Sequence, residues 1–172
     1  MPDIITKNLF MISWNKALVM AAMKDKEKLG KLLDARIPED FPNEPVRQHV
    51  LPDLLKSLEK DAFYGQWSGV ILNKSEKVAI GTMGFKSPPD EMKHGEIGYD
   101  IVPAYQGKGY ATEMANAVVQ WAFQEKELRG ISAKCSPINI ASVRVLEKIG
   151  MEHVSTTEEI MCWEILNKEY KC

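Results

Sequence analysis

Cysteine is scarce: Cys135, Cys162 and Cys172 are three in 172 residues, an odd number with no C-x-x-C pair. That argues against a disulfide framework or a cysteine zinc site and fits a reducing, cytoplasmic setting. Histidine is scarcer in effect, because His49, His94 and His153 each lack a second ligand at helical spacing. No metal site is therefore expected. No apolar run reaches the roughly 18–20 residues that a membrane span requires. No segment has the basic start and apolar centre of a secretory signal. An excess of positive charge is also missing. The 22 Lys and Arg are interspersed with 24 Asp and Glu for a net charge of −2, so the basic stripe of a nucleic-acid binder is absent. There is no internal repeat and no low-complexity linker. Apolar residues at 45% of the chain suffice for one domain over residues 1–172 with a sizeable core.

Periodicity orders the elements. Residues 9–14, LFMISW, read as a first strand. Residues 15–33 read as a helix, with Leu18, Ala22, Leu29, Leu32 and Leu33 at spacings of three to four. Pro38, Pro42, Pro45 and Pro52 then break regular structure, so residues 36–53 read as a loop and 53–60 as a short helix. Residues 67–86 form a β-hairpin, two Val/Ile-rich runs around the polar turn at 73–77. A strand at 96–102, a helix at about 108–125, a strand at 130–136, a helix opened by Asn139 and closed by Gly150, and two final strands complete the chain. The strand–helix–strand unit in the middle implies a parallel pair with a right-handed crossover. The fold class is α/β, with a mixed, mostly antiparallel sheet of about six to seven strands and helices on both faces.

The stretch GYDIVPAYQGKGYATEM, residues 98–114, carries the chemistry. Here a strand passes through a proline and a basic, glycine-bearing turn into a helix. A Walker A loop fails, because Gly109 stands where a Ser or Thr must follow Gly107-Lys108. A Rossmann fingerprint fails at its third glycine, where Thr112 stands. Two readings remain open on the glycines alone. One is an ordinary βα loop. The other is an anion cradle, in which free N–H groups and the positive end of the helix dipole face a phosphate that Gly107 and Gly109 let come close.

The wider pattern resembles a known family. Gln106-Gly107-Lys108-Gly109-Tyr110-Ala111 matches Q/R-x-x-G-x-G/A, the acyl-CoA pyrophosphate motif of the GNAT superfamily of N-acyltransferases. Residues 95–103, GEIGYDIVP, resemble the family's fourth strand. Asn139, Ser142, Gly150 and Met151 resemble its N-x-x-S/A helix and G-F/M turn. The motifs span about 95–151, and the strand order extends the likeness over nearly the whole chain. Among its relatives the chain looks most like the Rim-type branch of ribosomal-protein N-terminal acetyltransferases.

The resemblance implies an acetyl-CoA-dependent N-acetyltransferase that moves acetyl to a primary amine in a ternary complex. The acceptor is a small molecule or a peptide N-terminus. A homodimer is compatible with the family. The alternative is a non-catalytic acyl-CoA-binding or sensing domain of the same fold. Backbone groups of Ile101 and Val102 are expected to pair with pantetheine, and the Val102 N–H to hold the thioester oxyanion. The segment Gln106, Gly107, Lys108, Gly109, Tyr110, Ala111 is expected to take the pyrophosphate, with Thr112 beside it. Asn139 is expected to bond pantetheine amides. A lysine amine with pKa ~10.4 is neutral in only about one molecule per thousand near neutral pH, so an acceptor of that kind needs a base. Glu96 is the family's place for it. The tyrosine that many relatives use as the thiolate's acid is absent, since Leu146 occupies its position. The resemblance to the Rim-type branch offers Ser142 as the donor, directly or through water, with Tyr110 and Tyr105 as further hydroxyls. Residues 36–53 and the turn SPPDEM, residues 87–92, are expected to frame the amine site, as the equivalent loops do in the family. Glu39, Asp40, Glu44 and Asp53 could attract a cation there, while Phe41 and Trp67 could line a pocket or the core.

Overall fold

The structure is a computed structural model of the chain and describes residues 3–171. Cys172 lies outside the described residues. Eight strands occur among them, against the six to seven expected, in the order β1-β2-β3-β4-β5-β6-β8-β7. The additional strand is β1 (Ile4–Ile5), which pairs antiparallel with β2 (Leu9–Ser13) through Ile4–Met11 and Ile5–Phe10. Two residues are too few to show a period, so sequence gave no sign of it. The remaining strands are β3 (Ser68–Asn73), β4 (Val78–Phe85), β5 (His94–Ile101), β6 (Gly130–Cys135), β7 (Glu152–Thr156) and β8 (Met161–Leu166).

The described residues form two compact units. The first runs to Met83 and takes in Tyr99–Gln106; the second holds Gly84–Gly98 and everything from Gly107 on. Strands β4 and β5 each contribute to both.

In the first unit, the expected helix at 15–33 is divided into α1 (Lys16–Lys24) and α2 (Lys26–Leu33). Asp25 makes the break. Its N–H closes α1 onto the Ala21 carbonyl at 2.8 Å, and its side chain caps α2 by accepting from the Lys28 N–H at 3.1 Å. The region 36–53, expected as a loop, winds into a helix earlier than the prolines suggested. A wide helical turn at Val46–Val50 runs directly into α3 (Leu51–Lys60). Pro45 stands at the start of the helical run, where a missing N–H costs no helix bond, and Pro52 lies inside it, just after the wide turn. Asn43 supplies the cap, accepting from the Val46 N–H at 2.9 Å. Leu9, Met11, Leu29, Leu51, Ile71 and Ile80 form the centre of this unit's core. Phe41 and Trp67 belong to it as well, at 0% and 5% exposure. They are core residues rather than pocket lining.

In the second unit, β5 and β6 run parallel, from His94–Gly130 to Ile97–Ala133, joined through α4 (Tyr110–Gln124) as the sequence implied. β8 pairs antiparallel with both β6 and β7. The buried face of α4 carries Met114, Ala115, Val118, Val119, Trp121 and Ala122 at helical spacing. Burying side chains such as Val118 and Met114 stabilises by about 1.5–3 kcal/mol each. That burial fixes the helix and with it the direction of its N-terminus. α5 (Ile140–Lys148) follows β6.

Candidate active site

The first unit holds the end of β5 and a cavity. Hydrogen bonds phase the strand. The Val102 N–H donates to the Ile80 carbonyl at 2.8 Å, and the Lys86 N–H donates to the Glu96 carbonyl at 2.9 Å. Even-numbered backbone groups along this strand therefore face β4, and odd-numbered ones face the opposite edge. This corrects the expectation for Val102. Its N–H is consumed in the ladder, and its side chain is 2% exposed. Ile101 is the residue at this end whose N–H and C=O turn away from β4.

Pro103 ends the strand, and residues Pro103–Tyr105 make one 3-10 turn. The Gln106 side chain reaches back, its Nε2 donating to the Ile101 carbonyl at 2.7 Å. Gln106 thus braces the turn that enters the glycine loop. Tyr105, 7% exposed, anchors the same turn from below. Its hydroxyl donates to the Glu76 carboxylate and accepts from the Arg36 guanidinium at 3.5 Å. The bond to Glu76 pushes the Tyr105 phenol above its ordinary pKa, so it holds its proton and is a poor acid. It is a packing and bracing residue.

A cavity of about 420 Å³ opens beside this end of β5. One side is the segment carrying Glu39, Asp40, Glu44 and Arg47, and the other is Asp100 to Pro103 with Gln106. The segment expected to frame the amine site, residues 36–53, supplies lining residues of the cavity from Glu39 to Arg47, but Asp53 is not among them and pairs with Lys56 on α3 instead. Asp100 had escaped notice. The Thr82 hydroxyl donates to its Oδ1, while its Oδ2 is shielded from water and has no hydrogen-bond partner. Burial pushes the Asp100 carboxyl above the usual carboxylate range, more strongly than the Thr82 side-chain and backbone bonds lower it. The strand pair is tight here: a Cβ on Gly81 would lie 2.1 Å from the Asp100 carbonyl oxygen. The only sequence signal was an acid placed two residues before the apolar end of a strand.

The second unit holds the glycine loop, Glu96 and α5. Gly107 and Gly109 have φ of +74° and +81°, which L side chains rarely adopt. Gly109 is the N-cap of α4 and offers no side chain to its first turn. A Cβ at either glycine would meet nothing within 4 Å. No side chain caps the first turn of α4, and the space beside both glycines is open, next to the exposed Lys108. Tyr110, Ala111 and Thr112, in the first turn, are half-buried.

Asn139 caps α5, its Oδ1 accepting from the Ser142 N–H at 3.2 Å. Its carbonyl oxygen is thus occupied within the fold, leaving the amide NH₂ as its donor. Ser142 is half-buried in the first turn of α5, and Leu146, one turn on, is 1% exposed in the core. Glu96 is a quarter exposed and held by two ammonium groups, Lys86 on one oxygen and Lys134 at 3.6 Å on the other. Burial pushes the Cys135 thiol up, which disfavours the thiolate an acyl carrier needs. Cys135 and Cys162 are not disulfide-bonded. Among the described residues, no cluster of three or more His, Cys, Asp or Glu could hold a metal ion, and no helix is long and apolar enough to cross a membrane.

The chain is similar to known proteins over most of its length. Residues 16–152 match the Acetyltransferase (GNAT) domain family. The uncharacterized N-acetyltransferase YjdG of Bacillus subtilis (strain 168) is 28% identical over 152 residues, covering 88% of this chain and 90% of that protein. YnaD, an uncharacterized N-acetyltransferase of the same organism, is 52% identical over 81 residues, a match that takes in 47% of each chain. Among solved structures, the ribosomal-protein-S5-alanine acetyltransferase of Vibrio fischeri superposes with a TM-score of 0.67 at 21% identity, covering 99% of both chains.

Proposed function

Because the chain belongs to the GNAT acetyltransferase family, and so is an acetyl-CoA-dependent acetyltransferase, we propose that it acetylates a primary amine by direct attack within a ternary complex. The observation that carries this reading is the start of α4. Two glycines with positive φ leave the start of α4 without a side-chain cap and with open space beside it, room that a pyrophosphate would fill. Main-chain N–H groups from Gly107 to Thr112 would hold the pyrophosphate, and the Lys108 ammonium would add charge. Gln106 acts by bracing the loop through Ile101. Along β5, backbone groups of Ile101 would pair with pantetheine as an added strand does. The oxyanion donor moves from the Val102 N–H to that of Ile101, because only the odd-numbered groups turn away from β4. Such a donor lowers a barrier by about 3 kcal/mol in a dry site. Asn139 would offer its amide NH₂ to pantetheine while its oxygen keeps α5 capped.

Bound acetyl-CoA supplies a thioester carbon open to attack and a thiol as leaving group. The chain's part is to orient the amine, take its proton and exclude water. The cavity beside Ile101 is the acceptor site in this reading. Its Glu39, Asp40 and Glu44 favour an acceptor that arrives as an ammonium. Ser142 is the hydroxyl donor for the departing thiolate. The two carboxylates of β5, Glu96 and Asp100, compete for the role of proton acceptor. The likeness to an S5-alanine acetyltransferase structure supports a place near the Rim-type branch, with a peptide N-terminus or a small amine as acceptor. Two unbonded thiols, Cys135 and Cys162, support a reducing, cytoplasmic setting. The test is acetyl-CoA calorimetry followed by thiol release across N-terminal peptides, lysine peptides, polyamines and amino sugars. Acetyl-CoA binding with no release for any amine would favour the non-catalytic alternative.

A further inference from the structure

Asp100 is a half-buried carboxylate and one of the two on β5 that the reading above leaves in competition for the amine's proton. It lines the acceptor cavity, its Oδ1 accepts from Thr82, and its Oδ2 has no partner and no contact with water. Holding a half-satisfied carboxylate there costs stability, and costs more when it is charged than a neutral side chain would. Glu96, four residues earlier, is differently placed. Both its oxygens are already engaged by Lys86 and Lys134, so an amine must displace an ammonium to reach it.

Resting on the acetyl-transfer reading, we propose that Asp100 is the proton acceptor for the amine bound in the cavity. The acceptor's ammonium passes one proton to the Asp100 carboxylate. The freed lone pair on nitrogen forms the bond to the acetyl carbon and displaces sulfur, which leaves with the C–S electron pair. The thiolate takes its proton from the Ser142 hydroxyl, which is reprotonated by the second N–H proton, giving the coenzyme A thiol. Asp100 then releases its proton to solvent, which balances the reaction. Its burial suits it to the task, since a carboxylate with raised proton affinity takes a proton more readily than an exposed one. The charged groups facing it across the cavity are Glu39, Asp40, Glu44 and Arg47.

Asp100→Asn keeps the size and an oxygen for the Thr82 hydroxyl. It should bind acetyl-CoA within about twofold of wild type and lose ~10²–10⁴ in kcat/KM toward a lysine-type amine near neutral pH, chiefly in kcat. The loss should shrink as pH approaches the amine's own pKa. Thr82→Val removes a bond that favours the ionised form, so the acidic limb of the pH–rate profile should move to higher pH. Without any ligand, Asp100→Asn should melt at a higher temperature than wild type at about pH 8, with the gap closing towards about pH 4. An Asp100→Asn protein that binds acetyl-CoA normally and turns over within about twofold of wild type would overturn the role of Asp100 and leave acetyl transfer standing. A larger loss in Glu96→Gln than in Asp100→Asn would likewise return the role to Glu96. Wild-type protein with no affinity for acetyl-CoA would overturn the acetyl-transfer reading itself.

Discussion

Replacing Gly109 by aspartate separates what the loop does for the fold from what it does for the ligand. Gly109 has φ of +81°, and a Cβ there meets nothing within 4 Å, so no steric clash is introduced. Left-handed backbone costs an L residue about 1–2 kcal/mol, and aspartate is among the residues that bear it best. Against that, a carboxylate at an N-cap is favoured by the helix dipole and by the first-turn N–H groups, a gain of about 0.5–2 kcal/mol. The two effects nearly cancel, so the mutant should stay folded and melt close to wild type. For the ligand nothing cancels. The carboxylate takes the N–H groups meant for phosphate and sets a negative charge against it. At ~4 Å and an effective dielectric of ~20 one such repulsion is about 4 kcal/mol, close to a thousandfold in affinity. Calorimetry with acetyl-CoA on folded wild type and Gly109→Asp reads this directly. A folded mutant with unchanged affinity would refute the cradle, and with it the assignment of the Gly107–Thr112 backbone.

Asn139→Ala should lower stability by about 0.5–2 kcal/mol through loss of the α5 cap, seen by denaturant unfolding, and should weaken acetyl-CoA binding in addition. Met114→Ala, at a fully buried site on α4, should cost about 2–5 kcal/mol in the same assay. The pH dependence of stability carries the sign of Asp100. Its folded-state pKa lies above its unfolded one, so its unfavourable contribution is absent below the unfolded value and grows as pH rises through the folded value. Unfolding free energies of Asp100→Asn and wild type should therefore coincide in acid and diverge, with the mutant more stable, towards neutral pH.

The glycine turn, the parallel strand–helix–strand unit and the buried face of α4 were legible because each has a local sequence signature. The turn needs positive φ at 107 and 109, and α4 needs an apolar residue at every third or fourth place. The break at Asp25 was not legible, since apolar spacing continues across it and only the double cap reveals it. The prolines hid the helical start before α3, because Pro45 opens the run and Pro52 is carried inside it just after the wide turn at Val46–Val50. The Val102 N–H, expected to be free for a thioester oxygen, is instead spent on the Ile80 carbonyl. A strand's phase is set by its partner, and a one-residue slip turns every N–H to the other edge. Only the Val102–Ile80 bond fixes it. Asp100 was missed for a related reason: a lone acid in a strand reads as solvated until its neighbours Thr82 and Gly81 are seen to enclose it.

The most direct test of the account is product analysis. Wild-type protein is incubated with acetyl-CoA and the amine panel, thiol release is followed, and the amine product is identified by mass spectrometry. The account predicts release of coenzyme A thiol that depends on the amine and matches, one for one, an acetyl group found on its nitrogen. Thiol release that is the same with and without amine, or acetyl found on no amine while acetyl-CoA binds, would contradict it.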